Sequence, residues 1–410
     1  MSYVNQRGLI TMSVRPTAAE GSAEGFGVSG TAGLNPQQRA VDIESLAGTD
    51  FDVAVIGGGI TGAGTALDAA SRGLRTVLVE AGDLADGTSS KSSKLMHGGV
   101  RYLEMLDFTL VREALREREL HLTKLAPHLV KPMGFVWPLT HKYWERPYVG
   151  AGLTLYDYMG GKKVVPRHQH LSSAEMLRRM PGMDPAANVG GMRLYDSVSD
   201  DSRLVMTVAR TARSFGAAIL CGMPVERLIS RNGRVEGLVA RDRTTGITHT
   251  IRAKRVISAA GVWNGDLPTW LDDEATALTI RPSKGIHIVV PAEAIDMECG
   301  VLMRTEKSVL FILPWLGRWL IGDTDTDWTQ DKSTPVATAG DVDYLLDKVN
   351  SVLARKLSRS DVLGVIAGLR PLVQTKPEAD TTKLSREHSV RSPLKGLFVI
   401  AGGKLTTYRV

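Results

Sequence analysis

The chain has 410 residues, of which 43% are hydrophobic and 23% are charged. A chain of this length buries a large core and is expected to hold two domains, and its composition is that of an ordinary globular protein. The sequence has no run of about 18 apolar residues, which argues against a membrane-spanning helix, and it lacks the N-terminal pattern of a signal peptide, which predicts a cytoplasmic location.

Charge and cysteine content restrict the predicted partners. The formal net charge of +6 favours anionic partners, either a phosphorylated substrate or an acidic lipid surface. Because no nucleic-acid-binding module is recognisable, we predict no nucleic-acid partner. Cys221 and Cys299 are isolated from each other in the sequence, and we predict that they are packing residues rather than part of a disulfide framework or a metal cluster.

Residues 1–50 are rich in Gly, Ala, Ser and Thr and have no sustained periodicity. Such a composition is typical of a segment that buries too little apolar surface to fold by itself. We therefore predict a flexible leader and assign it no function.

Residues 51–80 are predicted to form a strand, a tight glycine turn, a helix and a second strand. FDVAVI is typical of a buried parallel strand, and Gly57, Gly59 and Gly62 follow it as G-x-G-x-x-G at the start of the helix. This spacing permits the turn, brings backbone close to a pyrophosphate and packs helix on strand. Glu80 lies 18 residues after Gly62, where it is expected to accept a hydrogen bond from a ribose hydroxyl. The unit predicts a dinucleotide-cofactor site.

Residues 81–101 form a polar stretch with five serines or threonines among the six residues 88–93. Hydroxyls and backbone N–H groups of such a stretch suit phosphate or ring oxygens. A solvated loop has a similar composition, so both interpretations stay open at this point. The position directly after the second strand and the pair Gly98-Gly99 favour a loop that contacts the cofactor.

The middle of the chain contains a predicted helix and an aromatic, basic stretch. Residues 106–125 have apolar positions at helical spacing, which predicts an amphipathic surface helix. Residues 139–170 interleave aromatic rings with basic side chains, a pattern typical of interfacial membrane contacts; a cap-domain helix and loop with ordinary tyrosine packing is an equal alternative. The residues in question are Tyr143, Trp144, Tyr148, Tyr156 and Tyr158, with Lys142, Arg146, Lys162, Lys163 and Arg167.

An acidic cluster and three strand patterns follow. Asp196, Asp200 and Asp201 are candidate metal ligands, but capping of a helix that begins near Ser202 is the simpler interpretation. Residues 217–257 contain three short strand patterns separated by turns. The last of them runs into the small residues SAAG, which a second backbone approach to a dinucleotide would need.

The following third of the chain predicts a sheet. Residues 280–291 alternate as in a strand and place His287 between apolar neighbours, and residues 310–314 and 319–322 are further strand candidates before a turn at 323–327. A run of strands in sequence predicts an antiparallel sheet, which we assign to a substrate domain.

The C-terminal part combines a helix with two glycine-containing motifs. Residues 341–357 have helical spacing. GLRPL at 368–372 follows a short strand, and residues 396–407 repeat the order strand, glycine pair and helix start.

The chain resembles the flavin-dependent glycerol-3-phosphate dehydrogenases over residues 51–409. The motifs that carry the resemblance, in the family's order, are IGGGITGAGTALDAASRG, TSSKSSKLMHGGVRYLE, SKGIHIVV, GLRPL and GGKLTTYR. The resemblance implies an α/β fold, α+β overall, in which a two-dinucleotide-binding-type FAD domain with the Rossmann-like βαβ unit carries a mainly antiparallel β-sheet substrate (cap) domain. The implied ranges are 1–50 for the leader, 51–118, 197–265 and 355–410 for the FAD domain, and 119–196 and 266–354 for the substrate domain.

The implied reaction is FAD-dependent oxidation of sn-glycerol 3-phosphate to dihydroxyacetone phosphate, with electrons passed to a membrane quinone. The implied location is the cytoplasm, with peripheral contact at the membrane, and a homodimer is one of the open oligomeric states. Alternatives are an oxidase of the same substrate that uses O₂ and a flavin-binding remnant without turnover; an amino-acid oxidase is disfavoured because two positioned arginines suit a phosphate. Family members continue after GGKLTTYR into a C-terminal helical domain, most of which we expect this chain to lack.

The glycine unit and the resemblance together assign the site residues. Those assigned to the substrate are Arg101, Tyr102, His287, Arg370 and Lys404, and all of these except Tyr102 are assigned to catalysis. Those assigned to the cofactor are Gly57, Gly59, Ile60, Thr61, Gly62, Glu80, Ala81, Thr88, Ser89, Ser90, Ser92, Ser93, Lys94, Leu95, His97, Gly98, Gly99, Ala260, Gly261, Gly403, Lys404, Leu405 and Thr406.

Flavin oxidation of an alcohol phosphate needs a hydride acceptor, a base and a phosphate holder. Arg101 and Arg370 are assigned to the phosphate, because the planar guanidinium binds phosphate bidentately and stays charged. His287 is the candidate base, or the donor that orients the hydroxyl, although a lone histidine on an apolar strand is more often a packed core residue. Lys404 is a second candidate for the base or for holding charge near the flavin, and Tyr102 for positioning the substrate.

Overall fold

The computed structural model describes residues 33–160, 164–271, 279–305, 309–373 and 388–410, apart from the side chain of Arg101. Residues 1–32 of the predicted leader, and Lys162 and Lys163, lie outside the described residues. The helices are α1 (Pro36–Leu46), α2 (Ile60–Ser71), α3 (Arg101–Glu104), α4 (Phe108–Leu120), α5 (Glu145–Met159), α6 (Ser173–Arg179), α7 (Asp201–Ser214), α8 (Leu267–Leu271) and α9 (Ala339–Asn350). The strands are β1 (Asp50–Ile56), β2 (Thr76–Val79), β3 (Leu95–Met96), β4 (Val130–Leu139), β5 (Gln169–Leu171), β6 (Gly190–Ser199), β7 (Ala218–Leu220), β8 (Val225–Arg231), β9 (Arg234–Arg241), β10 (Thr248–Ser258), β11 (Ile280–Pro291), β12 (Gly300–Arg304), β13 (Val309–Trp315), β14 (Arg318–Gly322), β15 (Thr326–Asp327), β16 (Gly364–Val373), β17 (His388–Arg391) and β18 (Leu397–Gly402).

The first sheet is built around the predicted glycine unit. Its strand order is β17-β18-β10-β1-β2-β7, with β9 also paired to β10 and β8 paired to β9. The pairs from β18 to β7 are parallel. Val53 and Val55 of β1 belong to the core shared with α2 and α7, while Ala54 and Ile56 belong to the core on the opposite face. Burial on both faces explains why residues 53–56 of β1 are continuously apolar.

The second sheet is antiparallel except for one pair. Its order is β15-β11-β14-β13-β12-β4-β6-β3, with β16 paired to β11 and β5 paired to β6, and the parallel pair is β12 with β4. Residues of α6 and α9, including Met176 and Leu345, pack with Ile286 and Ile288 of β11 in one core. The α/β fold class and the mainly antiparallel second sheet are as predicted, and β11 has the predicted bounds.

The two sheets exchange several segments of chain. β3 and β16 lie within the ranges 51–118 and 355–410 that we assigned to the cofactor domain, yet both pair in the second sheet. The carboxyl end of β6 leads directly into α7, which packs on α2 above the first sheet. The chain therefore crosses between the sheets close to residues 95–101 and 197–201, and the domain boundaries themselves stay a prediction.

The prediction of a flexible leader is wrong for residues 36–46, which form α1. The side chain of Asn35 accepts a hydrogen bond from the backbone of the first turn, and Pro36 occupies a position where a missing N–H has no consequence. Arg39 then pairs with the carboxylate of Asp242 at 2.8 Å, which attaches the helix next to the first sheet. Composition did not reveal this helix, because its fixed position depends on a partner 203 residues away.

The helix predicted over 341–357 is too long, since α9 ends at Asn350. The side chain of Asn350 accepts a hydrogen bond from the N–H of Leu357 at 2.7 Å and donates one to its carbonyl at 2.8 Å. Val352, Leu353 and Leu357 are buried in the core of the second sheet. Their apolar spacing imitates a further helical turn, whereas the chain folds back.

Among the residues that the structure describes, no helix combines the length and the apolar character needed to cross a bilayer.

Candidate functional site

A cavity of about 1150 Å³ opens at the carboxyl ends of the parallel strands. Ile56, Val79 and Ala259, at or next to the ends of β1, β2 and β10, contribute to its wall. In open α/β sheets this edge is where ligands bind.

The glycine turn forms one side of this cavity. Gly57 has a φ of +107°, and a Cβ at this position would lie 2.6 Å from the carbonyl oxygen of Ala259. A Cβ on Gly62 would overlap the carbonyl oxygen of Gly57. Both glycines are thus required by contact with backbone, and the N-terminus of α2 faces the space that they leave.

Glu80 holds this turn from the end of β2. Its carboxylate accepts hydrogen bonds from the N–H of Gly58 at 2.5 Å and from the N–H of Gly82 at 2.7 Å. Burial raises the pKa of Glu80, and the two N–H donors oppose that rise. The side chain lines the cavity, and its contact with a ribose stays a prediction.

The loop at residues 88–94 uses most of its polar groups within the protein. The hydroxyl of Ser89 accepts a hydrogen bond from the N–H of Ile60 at 3.0 Å, next to the glycine turn. The hydroxyl of Ser92 and the ammonium of Lys94 both bind the carboxylate of Asp201, each at 2.7 Å. The loop is therefore held at the N-terminus of α7, and the interpretation as a solvated loop does not describe it.

A second cavity of about 220 Å³ adjoins the first. Thr88, Lys91, Ser92, Leu369, Lys404 and Leu405 line both cavities. Ser93, Tyr102, Asp323 and Arg370 line only the small one, together with apolar side chains such as Phe135 and Phe311.

Arg370 is a partly buried cation of the small cavity, with 20% of its side chain exposed. One terminal nitrogen of its guanidinium contacts the carboxylate of Asp323 and donates to the carbonyl oxygen of Thr324 at 2.9 Å. The other terminal nitrogen lies 3.4 Å from the hydroxyl of Ser283. Burial lowers the pKa of Arg370, but the carboxylates of Asp323 and Asp325 outweigh it and hold the pKa above its ordinary value. The charge of Arg370 is therefore permanent.

His287 lies behind the wall of the small cavity. Only 2% of its surface is exposed, and its Nε2 is 2.9 Å from the hydroxyl oxygen of Ser93. Its Nδ1 is buried and has no hydrogen-bond partner in the structure. Burial lowers the pKa of His287, so the imidazole is neutral at neutral pH.

Lys404 and Tyr102 face each other across the small cavity. The Nζ of Lys404 lies 3.7 Å from the centroid of the Tyr102 ring. A cation over an aromatic face is stabilised as a cation, which favours the ammonium form of Lys404.

The predicted site residues fall into four groups in the structure. Those that line the large cavity are Gly57, Gly59, Ile60, Thr61, Glu80, Ala81, Thr88, Ser89, Ser92, Ala260, Gly261, Gly403, Lys404 and Leu405. Those that line the small cavity without lining the large one are Ser93, Leu95, His97, Gly99, Tyr102, Arg370 and Thr406. Those that line neither are Gly62, Ser90, Lys94, Gly98 and His287. The side chain of Arg101 lies outside the described residues, while its backbone begins α3.

Sequence analysis did not assign Asp323 or Asp196 to the substrate site, although it named Asp196 as a candidate metal ligand; both line the small cavity. Asp323 follows β14 directly, and we assigned it only to a turn; its position directly after a predicted strand was the available signal. Asp196 accepts hydrogen bonds from Arg118 at 2.8 Å and from the hydroxyl of Tyr156 at 2.7 Å. Nothing in the sequence connects these three residues.

The acidic cluster has separate functions rather than a shared one. Asp200 caps α7 by accepting from the N–H of Arg203 at 3.0 Å, as predicted, while Asp196 and Asp201 each pair with a buried cation. Across the described residues, no group of His, Cys, Asp and Glu is arranged to hold a metal ion. Cys221 and Cys299 are free thiols.

The model of the FAD-dependent oxidoreductase family matches residues 52–406. The chain belongs to the FAD-dependent oxidoreductases. This oxidoreductase is 52% identical over 379 residues to the glycerol-3-phosphate dehydrogenase 2 of Mycobacterium tuberculosis. The match covers 92% of this chain and 64% of that protein. The chain thus spans a little under two thirds of that relative's length.

Two solved structures have a similar fold to this FAD-dependent oxidoreductase. The glycerol-3-phosphate dehydrogenase of Bacillus halodurans, solved with FAD, has a TM-score of 0.72 and 34% identity, and the match covers 91% of this chain and 64% of that one. The L-α-glycerophosphate oxidase of Mycoplasma pneumoniae, also solved with FAD, has a TM-score of 0.70 and 20% identity, and the match covers 88% of this chain and 92% of that one. The second likeness concerns the fold alone.

The cofactor of this oxidoreductase is FAD, as predicted, and the residues at the large cavity fit it. The positive φ of Gly57 and the absent side chain of Gly62 bring backbone N–H groups to the cavity surface. The N-terminus of α2 supplies a site for the pyrophosphate. Individual cofactor contacts, including those assigned to Ser89 and Gly403, stay predictions.

We predict that breaking the buried ion pair between Lys94 and Asp201 lowers the stability of the fold strongly. Their side chains are 8% and 1% exposed, so Lys94→Met leaves a buried carboxylate without its cation, and we expect the free energy of unfolding to fall by about 3–5 kcal/mol. Arg72→Met provides the matched control, because its pair with Asp68 has a similar separation, 2.8 Å against 2.7 Å, but is 69% and 64% exposed, and its loss is expected to cost less than about 1 kcal/mol. Urea denaturation of the FAD-loaded variants measures both, and equal losses would contradict the assignment.

Proposed function

We propose that this chain oxidises sn-glycerol 3-phosphate to dihydroxyacetone phosphate, with FAD as hydride acceptor and a membrane quinone as the next electron acceptor. The observation that carries the proposal is the small cavity beside the cofactor cavity, where Arg370 and Lys404 supply two cationic groups. The names of the relatives similar to this chain support the same substrate.

The size and charge of the small cavity favour a small phosphorylated alcohol. Its volume of about 220 Å³ is below the range of about 300–1,000 Å³ that is usual for drug-sized ligands. The terminal nitrogen of Arg370 near Ser283 makes a long hydrogen bond of 3.4 Å and lies 3.9 Å from the carboxylate of Asp325, and a phosphate oxygen offers it a shorter, charge-assisted hydrogen bond. Asp323 and Asp196 add negative charge, so a second cation, Lys404, helps to offset the phosphate.

The chemistry divides between the cofactor and the chain. Bound FAD supplies the acceptor for the hydride of the carbinol carbon. Lys404 and Leu405 line both cavities, so we assign the meeting point of cofactor and substrate to this shared wall. We assign Arg370 and Lys404 to the phosphate, and Tyr102 to positioning.

His287 is the better of the two candidate bases. Its neutral imidazole accepts a proton at neutral pH, because burial lowers its pKa. The ammonium of Lys404 is favoured by the ring of Tyr102 and has no lone pair to accept a proton. We therefore assign the base to His287 and the holding of charge to Lys404.

Contact with a membrane surface is the finer part of the proposal. Trp144, Tyr148, Leu155 and Tyr158 are exposed. Counted from Trp144, the other three lie at i+4, i+11 and i+14, which places all four on one face of a helix. Tyr156 instead follows the alternative of ordinary tyrosine packing, because it is buried and donates a hydrogen bond to Asp196. Exposed aromatic rings near Lys142 and Arg146 suit the interface of an anionic bilayer, where a quinone is available.

Anaerobic reduction by substrate tests the reaction first. We expect the visible absorbance of the FAD-loaded chain to bleach on addition of sn-glycerol 3-phosphate and to stay unchanged with glycerol or an amino acid. A flavin that stays oxidised with sn-glycerol 3-phosphate would reject the activity and leave a flavin-binding remnant. Peroxide measured in air with no quinone present distinguishes the acceptors, because stoichiometric peroxide would identify an oxidase.

Replacement of Arg370 tests the assignment of the phosphate. Arg370→Gln with Asp323→Asn removes the guanidinium together with the carboxylate that it contacts, while Asp325, 3.9 Å from the other terminal nitrogen, keeps its hydrogen bond from Ser283. We expect KM for sn-glycerol 3-phosphate to rise about 100-fold with FAD content unchanged, because a charge-assisted contact of about 3 kcal/mol is lost. Arg304→Gln, which breaks an exposed pair with Glu104, is the control. Loss of FAD from the double variant would instead indicate a structural function for Arg370.

Vesicle binding tests the membrane contact. We expect Trp144→Ser with Tyr148→Ser to reduce co-sedimentation with anionic lipid vesicles about tenfold, because two exposed rings no longer enter the interface. Ile247→Ser removes an exposed apolar side chain elsewhere and is expected to change nothing. Equal binding by all three proteins would exclude this surface.

A further inference from the structure

We propose that Ser93 is a catalytic proton relay, whose hydroxyl accepts the proton of the substrate hydroxyl while it passes its own proton to Nε2 of His287. The inference rests on the proposed function and adds a catalytic residue to it. It also replaces our assignment of Ser93 to the cofactor.

The position of His287 creates the need for a relay. The accepting atom of a base must lie within about 2.6–3.2 Å of the oxygen that carries the proton, or reach it through one intermediate group. His287 is 2% exposed and lines neither cavity, so its ring does not reach a ligand directly. Ser93 lines the small cavity, and its hydroxyl oxygen is 2.9 Å from Nε2. Ser93 is thus the group through which His287 acts.

Both members of the pair are held in place. The residues on either side of Ser93 are anchored to one carboxylate, since Ser92 and Lys94 each bind Asp201 at 2.7 Å. The ring of His287 lies against Gly322, where a Cβ would overlap its Cδ2. The segment that carries Ser93 and the ring of His287 are thus both held in position, which keeps the two groups 2.9 Å apart.

The charges around His287 suit a group that is neutral before the reaction and cationic after it. Four segments contribute them: Asp323 after β14 and Asp201 of α7 favour the imidazolium, whereas Arg370 of β16 and Lys94 of the 88–94 loop disfavour it. Burial is the largest influence and keeps the ring neutral at neutral pH. Asp323 then lowers the cost of the positive charge that the ring acquires.

Asp323 also supplies an acceptor on the same side of β11. Its Oδ1 and the Nδ1 of His287 are both buried and without a hydrogen-bond partner in the structure. Gly285 lies two residues before His287, and a Cβ on Gly285 would overlap Asp323 Oδ1, so the carboxylate and the imidazole share one face of the strand. Neutral His287 that accepts at Nε2 carries its proton on Nδ1.

The step balances in protons and electrons. The substrate O–H bond breaks and its proton joins Ser93 Oγ, while the Ser93 O–H bond breaks and its proton joins His287 Nε2. The electron pair of the substrate O–H bond becomes the second C–O bond as the carbinol carbon releases a hydride, with its electron pair, to oxidised FAD. The products are the ketone, reduced cofactor, an unchanged serine and an imidazolium.

Variants of Ser93 test the relay in the FAD-loaded protein. We expect Ser93→Ala to retain FAD and bind substrate with unchanged Kd, while the rate of anaerobic flavin reduction falls about 100-fold, the lower end of what a general base contributes. Ser93→Thr keeps a hydroxyl and should restore most of the rate. Ser230→Ala, at an exposed position of β8 outside both cavities, is the matched control.

Two further readouts separate a relay from a structural effect. In the native protein the reduction rate falls as pH drops through the lowered pKa of His287, and in Ser93→Ala this acid limb should disappear, because the remaining rate no longer depends on the imidazole. In ¹⁵N-histidine spectra, Ser93→Ala should move the Nε2 resonance of His287, whereas Ser93→Thr should leave it near its native position.

The outcomes distinguish the relay from the proposed function. Reduction of Ser93→Ala at the native rate would overturn the relay and leave the dehydrogenase activity intact. Loss of FAD by Ser93→Ala and Ser93→Thr alike would identify Ser93 as a cofactor contact and also overturn it. Failure of the native protein to be reduced by sn-glycerol 3-phosphate would reject the proposed function, and the relay with it.

Discussion

The buried ion pair between Lys94 and Asp201 is the constraint on which the arrangement of both cavities depends. Asp201 begins α7, which packs above the first sheet, and Lys94 precedes β3 in the second sheet, so the pair closes the junction between the sheets at 2.7 Å. A buried ion pair contributes little net stability compared with an apolar replacement, since desolvation offsets its attraction. Its consequence here is geometric: it holds the 88–94 loop, with Ser92 and Ser93, in the wall between the cavities.

The two cavities differ in the kind of polar group that they present. The large one is bordered by the glycine turn and the N-terminus of α2, which suits the pyrophosphate of FAD. The small one has side-chain charges, with Arg370 paired to Asp323 and Lys404 over Tyr102. The two side chains are suited to different steps. The guanidinium of Arg370 stays charged and is suited to binding an anion, whereas burial keeps the imidazole of His287 neutral, so that it is able to accept a proton.

Local sequence was sufficient for the elements whose pattern is complete within one segment. The apolar residues 53–56 of β1, the three glycines and the strand pattern of β11 predicted these elements, because each pattern is complete within one segment. The alternation expected for β11 is not found in its burial, since residues 283–288 are all buried. The same reasoning overextended the helix at Asn350 and missed α1, because side-chain contacts that apolar spacing does not reveal decide both outcomes: Asn350 with Leu357, and Arg39 with Asp242.

The sequence by itself determined the fold class, the dinucleotide unit and the family, since these depend on residue types at short spacing. Only the tertiary structure decided which polar groups meet. Ser93 and His287 are 194 residues apart, Arg370 and Asp323 are 47 apart, and Asp196 reaches Arg118 over 78. Each of these contacts follows from how the two sheets pair their strands and pack together, and a residue's own neighbours in the chain carry no record of that register.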